Sequence, residues 1–195
     1  NAMVVNQGGV ASGLLFRKYL AYLGNYLESE FGVCVGDVIL MHILWADDLI
    51  LISDSVCGIQ KQLDGLMKFC KKNHMIVNEI KTKCMGFGRI KEIEVSFNGK
   101  IIEQVSKYKC LGTVIRSVHK INEDPFRENY THLTDHGRKA IFSMYKRLKP
   151  IGKPSPKIML DLFDSLVKPI FIYGSDVWGY SKTGLSAVDK VFMRF

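Results

Sequence analysis

The stretch "HILWADDLILIS", His42 to Ser53, decides how this chain is read. Two adjacent carboxylates, Asp47 and Asp48, stand between two apolar runs, Val38–Trp45 and Leu49–Ser53, rich in isoleucine, leucine and valine. Such runs read as buried strands, and the polar break at Ala46-Asp47-Asp48 reads as the turn of a hairpin. A tight turn between strands is stiff, so it fixes the separation of the two carboxylates and projects them from one end of a sheet. Each raises the cost of ionising the other, and a hard divalent cation relieves that cost. Two such ions about 3.5–4 Å apart can clamp the attacking and leaving oxygens of a phosphoryl transfer. The competing interpretation is a solvated turn, which is the commoner state of an isolated Asp-Asp pair. The apolar flanks favour the metal-binding interpretation without deciding between the two.

The bulk properties narrow the function classes. With 195 residues, 47% of them hydrophobic, the chain can fill one large domain or two small ones, and disorder is not expected. The net charge of +8 favours a polyanionic partner, nucleic acid before an acidic membrane surface. The five cysteines, Cys34, Cys57, Cys70, Cys84 and Cys110, are odd in number and form no Cys-x-x-Cys pair. They read as buried thiols of an intracellular, reducing compartment, cytoplasm or nucleus, and not as a disulfide framework or zinc site. No apolar run is long enough to span a bilayer and no signal peptide precedes the first element, so no membrane partner is expected. Asn1-Ala2-Met3 reads as the scar of an expression tag.

The pattern predicts an α+β fold. Apolar spacing from Leu14 to Phe31 suggests a helix, Gly32 and Gly36 a turn, and Ser55–Asn73 a second helix capped by the serines at its start. A strand is expected over Lys83–Phe87, a hairpin of Ile93–Phe97 and Lys100–Val105 around Asn98-Gly99, and a strand pair over Tyr108–Ile115 around Gly112. From Asp124 the character turns helical. Phe126–Leu148 forms one long helix, Pro150 to Pro156 a linker, and Ile158–Tyr173 a helix broken at Pro169, with a last helix over Leu185–Arg194. A boundary near residue 120 separates an antiparallel sheet with helices on one face from a helical part.

Several motifs carry a family resemblance. "NQGGVASGLLF" at 6–16 resembles the Gln-Gly…Ser-Pro-x-Leu-Phe motif B of reverse transcriptases from non-LTR, LINE-type retrotransposons, and "WADDLILIS" resembles their Tyr-Ala-Asp-Asp motif C. "IVNEIKTKCM" at 76–85 is similar to their motif D, with the Asn-x-x-Lys-Thr spacing intact, and "YKCLG" at 108–112 to their primer grip. "KPIFIYGSDVWG" at 168–179 is similar to the Tyr-Gly-x-x-x-Trp segment that closes their thumb. The blocks occur in family order and spacing. The resemblance implies a partial polymerase palm over 4–120, holding motifs B to E, and a helical thumb over 121–195.

The roles follow residue by residue. Asp47 and Asp48 would be two of the catalytic ligands of Mg²⁺ or Mn²⁺, weakly bound. Gln7, Gly8 and Ser12 would lie beside the nascent base pair. Lys81 would either approach the triphosphate, where a cation stabilises departing pyrophosphate, or stay a solvated lysine. Tyr108, Leu111 and Gly112 would support the primer end, while Tyr173 and Trp178 would pack in the thumb core. Arg138, Lys139, Lys146, Arg147, Lys149, Lys153 and Lys157, uninterrupted by any acid, would grip the backbone of RNA, DNA or an RNA–DNA hybrid. His132 and His136, four apart, read as a surface pair and not as a metal site.

There are departures from the family. Trp45 replaces a Tyr or Phe, and Gly13 replaces a Pro. Only Met3–Asn6 precede motif B, and Asp37, the one aspartate before the pair, lies on its wrong side. The expectation is therefore a chain without motif A or fingers that does not extend a primer alone. The alternative is a non-catalytic basic module that binds nucleic acid or protein; separately, the chain is expected to self-associate through the exposed palm edge at 38–45.

Overall fold

Short strands and interrupted helices build two units whose division does not follow chain order. The computed structural model of the chain describes residues 11–193 and 195. One unit runs to Cys84 and includes Ile90–Gln104; the other takes Met85–Arg89 and everything from Val105 on.

The first unit opens with α1 (Ser12–Leu20), which is shorter than its apolar spacing predicts. Two single 3-10 turns follow, Leu23–Tyr26 and Ser29–Phe31. Gly24 and Asn25, weak helix formers, lie in the first of them. The irregular path still buries Leu20, Leu23 and Leu27 in the core. Strands β1 (Val33–Val35) and β2 (Val38–Leu40) form a hairpin across Gly36, which adopts φ 61°. The strand expected over 38–45 breaks at Met41 into β2 and β3 (His42–Trp45), and β3 pairs with β4 (Asp48–Leu51).

Helix α2 (Val56–Lys72) starts where the sequence predicts, with the Ser55 hydroxyl accepting the Gly58 N–H at 3.1 Å. Its inner face brings Leu63, Leu66, Phe69 and Cys70 into the core. Strand β5 (Lys83–Cys84) keeps only two residues of the expected run and pairs in parallel with a later strand. Between them, β6 (Ser96–Phe97) and β7 (Lys100–Ile101) close the predicted Asn98-Gly99 hairpin, both turn residues left-handed at φ 52° and 79°. The partner of β5 is β8 (Glu103–Gln104).

The fold is α+β, as the pattern predicts, but the sheet differs in form. Among the described residues the strands make separate two-stranded ladders and no wider antiparallel sheet. Side chains take over one backbone edge: Gln60 on α2 accepts the Ser96 N–H at 2.8 Å and donates to its carbonyl at 3.0 Å, standing where a neighbouring strand would. Buried Gln62 likewise donates to the Glu28 carbonyl at 2.9 Å and anchors the irregular segment after α1.

The second unit begins with the hairpin of β9 (Lys107–Cys110) and β10 (Thr113–Arg116), turning at Leu111-Gly112 with φ 45° and 82°. Helix α3 (Arg127–Leu148) packs on it, and buried Asn129 accepts the Val114 N–H at 3.1 Å. With the hairpin packed on α3, the compact division falls between residues 104 and 105. Then follow α4 (Pro156–Leu166), α5 (Lys168–Ile172), α6 (Ser175–Trp178) and α7 (Lys182–Phe192). The helix expected over 158–173 breaks after Leu166, just ahead of Pro169. Helix α7 starts before Leu185 because Ser181 caps it, accepting the Gly184 N–H at 3.3 Å. Tyr130, Leu133, Phe163, Val167, Phe171, Trp178, Val188 and Val191 form this core. Gly137 lets α3 approach the Phe171 ring, which a Cβ there would strike.

Asp124 ties the start of α3 to the start of α7. It accepts the Phe126 N–H at 2.9 Å and the hydroxyls of Tyr130 at 2.9 Å and Ser181 at 2.7 Å. Burial alone would raise its pKa, but the hydrogen bonds from Ser181, the Phe126 N–H and Tyr130 outweigh burial and hold the carboxyl below the usual range. The Tyr130 hydroxyl, chiefly through burial, is pushed up to about 12. Asp124→Ala leaves two hydroxyls without their acceptor and is expected to destabilise the chain by about 1–3 kcal/mol in urea unfolding. Because the folded-state pKa is depressed, the carboxylate's contribution is full above the unfolded value, near 4, and is lost as pH falls through the folded one. Asp124→Asn should therefore flatten the fall in stability below about pH 4; an unchanged pH profile would show that Asp124 contributes nothing through its charge.

Candidate functional site

The register of β3 and β4 fixes the geometry of the two aspartates. His42 pairs with Leu51, Ile43 with Ile50, Leu44 with Leu49 and Trp45 with Asp48. The loop is thus two residues long, Ala46 and Asp47, and Asp48 is already the first residue of β4. Alternation along the strands turns Leu44, Leu49 and Leu51 toward the core. Ile43, Ile50 and Trp45, the last 67% exposed, face outward, and Asp48 shares that outer face opposite Trp45.

Of the two loop residues only Ala46 has a positive φ, 52°. A first turn position of that sign normally belongs to glycine. Alanine there costs on the order of 1–2 kcal/mol. Backbone outliers of this kind concentrate at functional sites. Both carboxylates are exposed, and neither makes a side-chain hydrogen bond or ion pair among the described residues. As donors, two hard oxygen ligands on a stiff turn suit a divalent cation. In number they fall short: among the described residues no group of three or more His, Cys, Asp or Glu side chains is gathered to hold a metal.

The other predicted site residues are dispersed. Lys81 is exposed in a turn organised by Asn78, whose side chain accepts the Lys81 N–H at 3.1 Å and whose carbonyl accepts the Thr82 hydroxyl at 2.9 Å. That accounts physically for the Asn-x-x-Lys-Thr spacing, while no ion pair joins Lys81 to Asp47 or Asp48. Ser12 is the first residue of α1. Gln7 and Gly8 lie outside the described residues. Tyr108 is on β9, and Leu111 and Gly112 are the left-handed turn beyond it.

Tyr173 is not the core residue expected: it is 57% exposed, and its hydroxyl donates to the Leu111 carbonyl at 2.7 Å. A Cβ at Gly112 would come within 2.7 Å of that ring. The buried indole of Trp178 holds Tyr173 from behind, donating to its carbonyl at 3.1 Å.

Residues 1–115 match the reverse transcriptase (RNA-dependent DNA polymerase) family. The chain belongs to the reverse transcriptases. It is also 26% identical over 149 residues to a transposon-derived protein of Caenorhabditis elegans, covering 73% of this chain and 50% of that relative. The chain thus spans about half the length of the curated relative it matches. The family match takes in the strained turn at Ala46-Asp47 and the Leu111-Gly112 turn, and stops short of the helices α3 to α7.

On those helices the chain exposes Arg138, Lys139, Lys146 and Arg147 along α3, and Lys149, Lys153 and Lys157 between α3 and the first turn of α4. They do not form one straight stripe. At about 3.6 residues per turn, Lys139 and Lys146 share a face with exposed Phe142, while Arg138 and Arg147 project from opposite sides. Arg138 also pairs with Asp135 at 3.4 Å. Phe142, 71% exposed beside two lysines, was not singled out in the sequence; only its position between them on the helix could have marked it. His132 and His136 stack at 4.2 Å, and burial, then His136 and Lys109, hold the His132 pKa below its ordinary value. Cys34 and Cys57 are exposed, against expectation, because β1 and the first turn of α2 turn them away from the core.

Two substitutions test the turns. Ala46→Gly relieves the left-handed strain and is expected to raise unfolding stability by about 0.5–1 kcal/mol, net of the entropy glycine loses; a loss of stability would mean that Ala46 is not strained. Tyr173→Phe keeps the ring but removes the bond to Leu111, costing about 1 kcal/mol and speeding amide exchange in the 110–113 turn; unchanged exchange there would deny Tyr173 its role.

Proposed function

We propose that this chain is the part of a LINE-type reverse transcriptase that carries half of the palm and the thumb, and that by itself it holds nucleic acid without extending a primer. One observation carries the catalytic half of this reading: Asp47 and Asp48 project from a strained two-residue turn inside the region that matches the family. Strain there is tolerated in return for a fixed aim of the two carboxylates.

Asp47 and Asp48 are the residues that would hold Mg²⁺ or Mn²⁺, which when bound neutralises developing charge and activates the attacking oxygen in nucleotidyl transfer to a primer 3′-hydroxyl. With two carboxylates and no third acid gathered to them among the described residues, this chain's affinity for the ion is weak, about millimolar or poorer. Lys81, held out by the Asn78 turn, is the cation suited to meet a triphosphate. Tyr108, Leu111 and Gly112 support the primer end on a turn that Tyr173 keeps in shape. Lys139 and Lys146 grip phosphates, with Phe142 lying against the sugars between them. The isolated chain is expected to add no nucleotides to a labelled primer on an RNA template with Mg²⁺ or Mn²⁺. Extension that vanishes in Asp47→Ala or Asp48→Ala would overturn this and make the chain a polymerase.

Binding is the positive half of the reading, and it is shared by the alternative of a purely non-catalytic module. The net charge of +8 and the exposed lysines of α3 support it. Fluorescence anisotropy with a short RNA–DNA hybrid should show sequence-indifferent binding. Its log–log salt slope should gain roughly 0.7 to 0.9 for each phosphate neutralised. Reversing Lys146, Arg147, Lys149 and Lys153 to Glu should abolish it, while Asp47→Ala and Asp48→Ala leave it intact. No binding at low salt, or binding indifferent to the charge reversal, would reduce the basic face to a solvated surface.

A further inference from the structure

We propose that the hollow between the end of α1 and the end of α2 binds one unpaired nucleotide of a single-stranded nucleic acid, at a site separate from the Asp47–Asp48 turn and from the basic residues of α3. The proposal rests on the nucleic-acid reading above and names a second contact within the first unit.

The hollow is a shallow depression, open to solvent, of about 410 Å³, lined by Tyr22, Asn25, Tyr26, Lys72 and Asn73. That volume lies near the small end of ligand sites, about 300–1,000 Å³, and suits a nucleotide better than a duplex. Its frame is held firmly. The Tyr19 hydroxyl donates to the Asn73 carbonyl at 2.6 Å, tying the end of α1 to the end of α2. The Asn73 side chain is occupied by the Phe69 carbonyl at 2.8 Å, and Tyr26 stands edge-on to buried Phe69 with centroids 5.4 Å apart.

What remains unused inside this frame has one chemistry. Tyr22 is 61% exposed and contributes no packing to the core. The Lys72 ammonium stands 5.7 Å from the Tyr26 ring centroid and makes no ion pair with a carboxylate among the described residues. The Asn25 side chain, which can both donate and accept, makes no hydrogen bond within the described residues. A free aromatic face, a cation without a carboxylate and a free carboxamide match the three parts of a nucleotide: base plane, phosphate and base edge. Arg17 and Lys18 in the last turn of α1, and Lys71 beside Lys72, are exposed and extend the positive surroundings along which a strand would run. A bare acidic peptide would use the lysines but leave the ring and the carboxamide idle.

The test uses the full 195-residue chain, a uridine-rich single-stranded RNA of about ten nucleotides, and a blunt RNA–DNA hybrid. Ultraviolet cross-linking followed by peptide mapping should place adducts of the single strand at Tyr22 or Tyr26. In anisotropy, Tyr22→Ala should weaken the single strand about tenfold, the scale of one lost base stack, and leave the hybrid unchanged within twofold. Tyr22→Phe, which keeps the ring, should bind as the wild type does and serves as the control for folding. Lys72→Gln should lower the single-strand salt slope by roughly 0.7. Adducts confined to other segments, or single-strand binding that is indifferent to Tyr22→Ala, overturn the proposal while hybrid binding keeps the broader reading alive. If the chain holds neither RNA nor hybrid, both fail together.

Discussion

The two-residue connection between β3 and β4 is the constraint on which the candidate site depends. Pairing Trp45 directly with Asp48 leaves room for only Ala46 and Asp47, and the chain closes that gap by putting Ala46 at φ 52°. One more residue would relieve the strain and free the acids to wander. One-residue slippage of β4 would turn Leu49 and Leu51 out to water and bring Asp48 inward. The hydrophobic inner face of the hairpin therefore enforces the register, the register enforces the short turn, and the turn aims the carboxylates. The exposed outer face of Ile43, Trp45 and Ile50 comes from the same alternation.

The second unit repeats this logic with different chemistry. Its left-handed turn at Leu111-Gly112 is pinned by a tyrosine hydroxyl, that tyrosine is backed by a buried tryptophan, and the tryptophan sits edge-on to Tyr130 at 5.8 Å. Tyr130 in turn donates to Asp124, which also gathers the start of α7 through Ser181. A chain of single contacts thus runs from the core to an exposed turn. Turn shape on the surface is set by burial far from it.

Much of this was legible in the sequence, and the failures are physical. Turn chemistry is a local signal: Asn98-Gly99 and Gly112 mark left-handed turns, and Ser55 marks a helix start. Extent was read poorly. The run from Leu14 to Phe31 has helical spacing because Leu23 and Leu27 are buried, but glycine and asparagine at 24 and 25 let an irregular path bury them equally well. Among the described residues the strands pair only two by two, and the Gln60 carboxamide takes one edge of β6, a role no periodicity reveals. The short turn at Ala46-Asp47 is legible because strand flanks and a polar break are local signals. The bond from Tyr173 to Leu111 spans 62 positions and was invisible without the fold. The basic residues were visible as a charge count, but not as a face interleaved with Phe142.

As proposed above, Asp47 and Asp48 would hold a divalent cation at the reacting end of a primer. Replacing Mg²⁺ by Fe²⁺ in the chain bound to a primer–template with a recessed 3′ end, and then generating hydroxyl radicals at the iron, tests this directly. Backbone cleavage is expected to cluster within a few nucleotides of the primer 3′ end and to be abolished by Asp47→Asn together with Asp48→Asn while binding persists. Cleavage scattered evenly along the duplex, or a cluster that survives both substitutions, would contradict it.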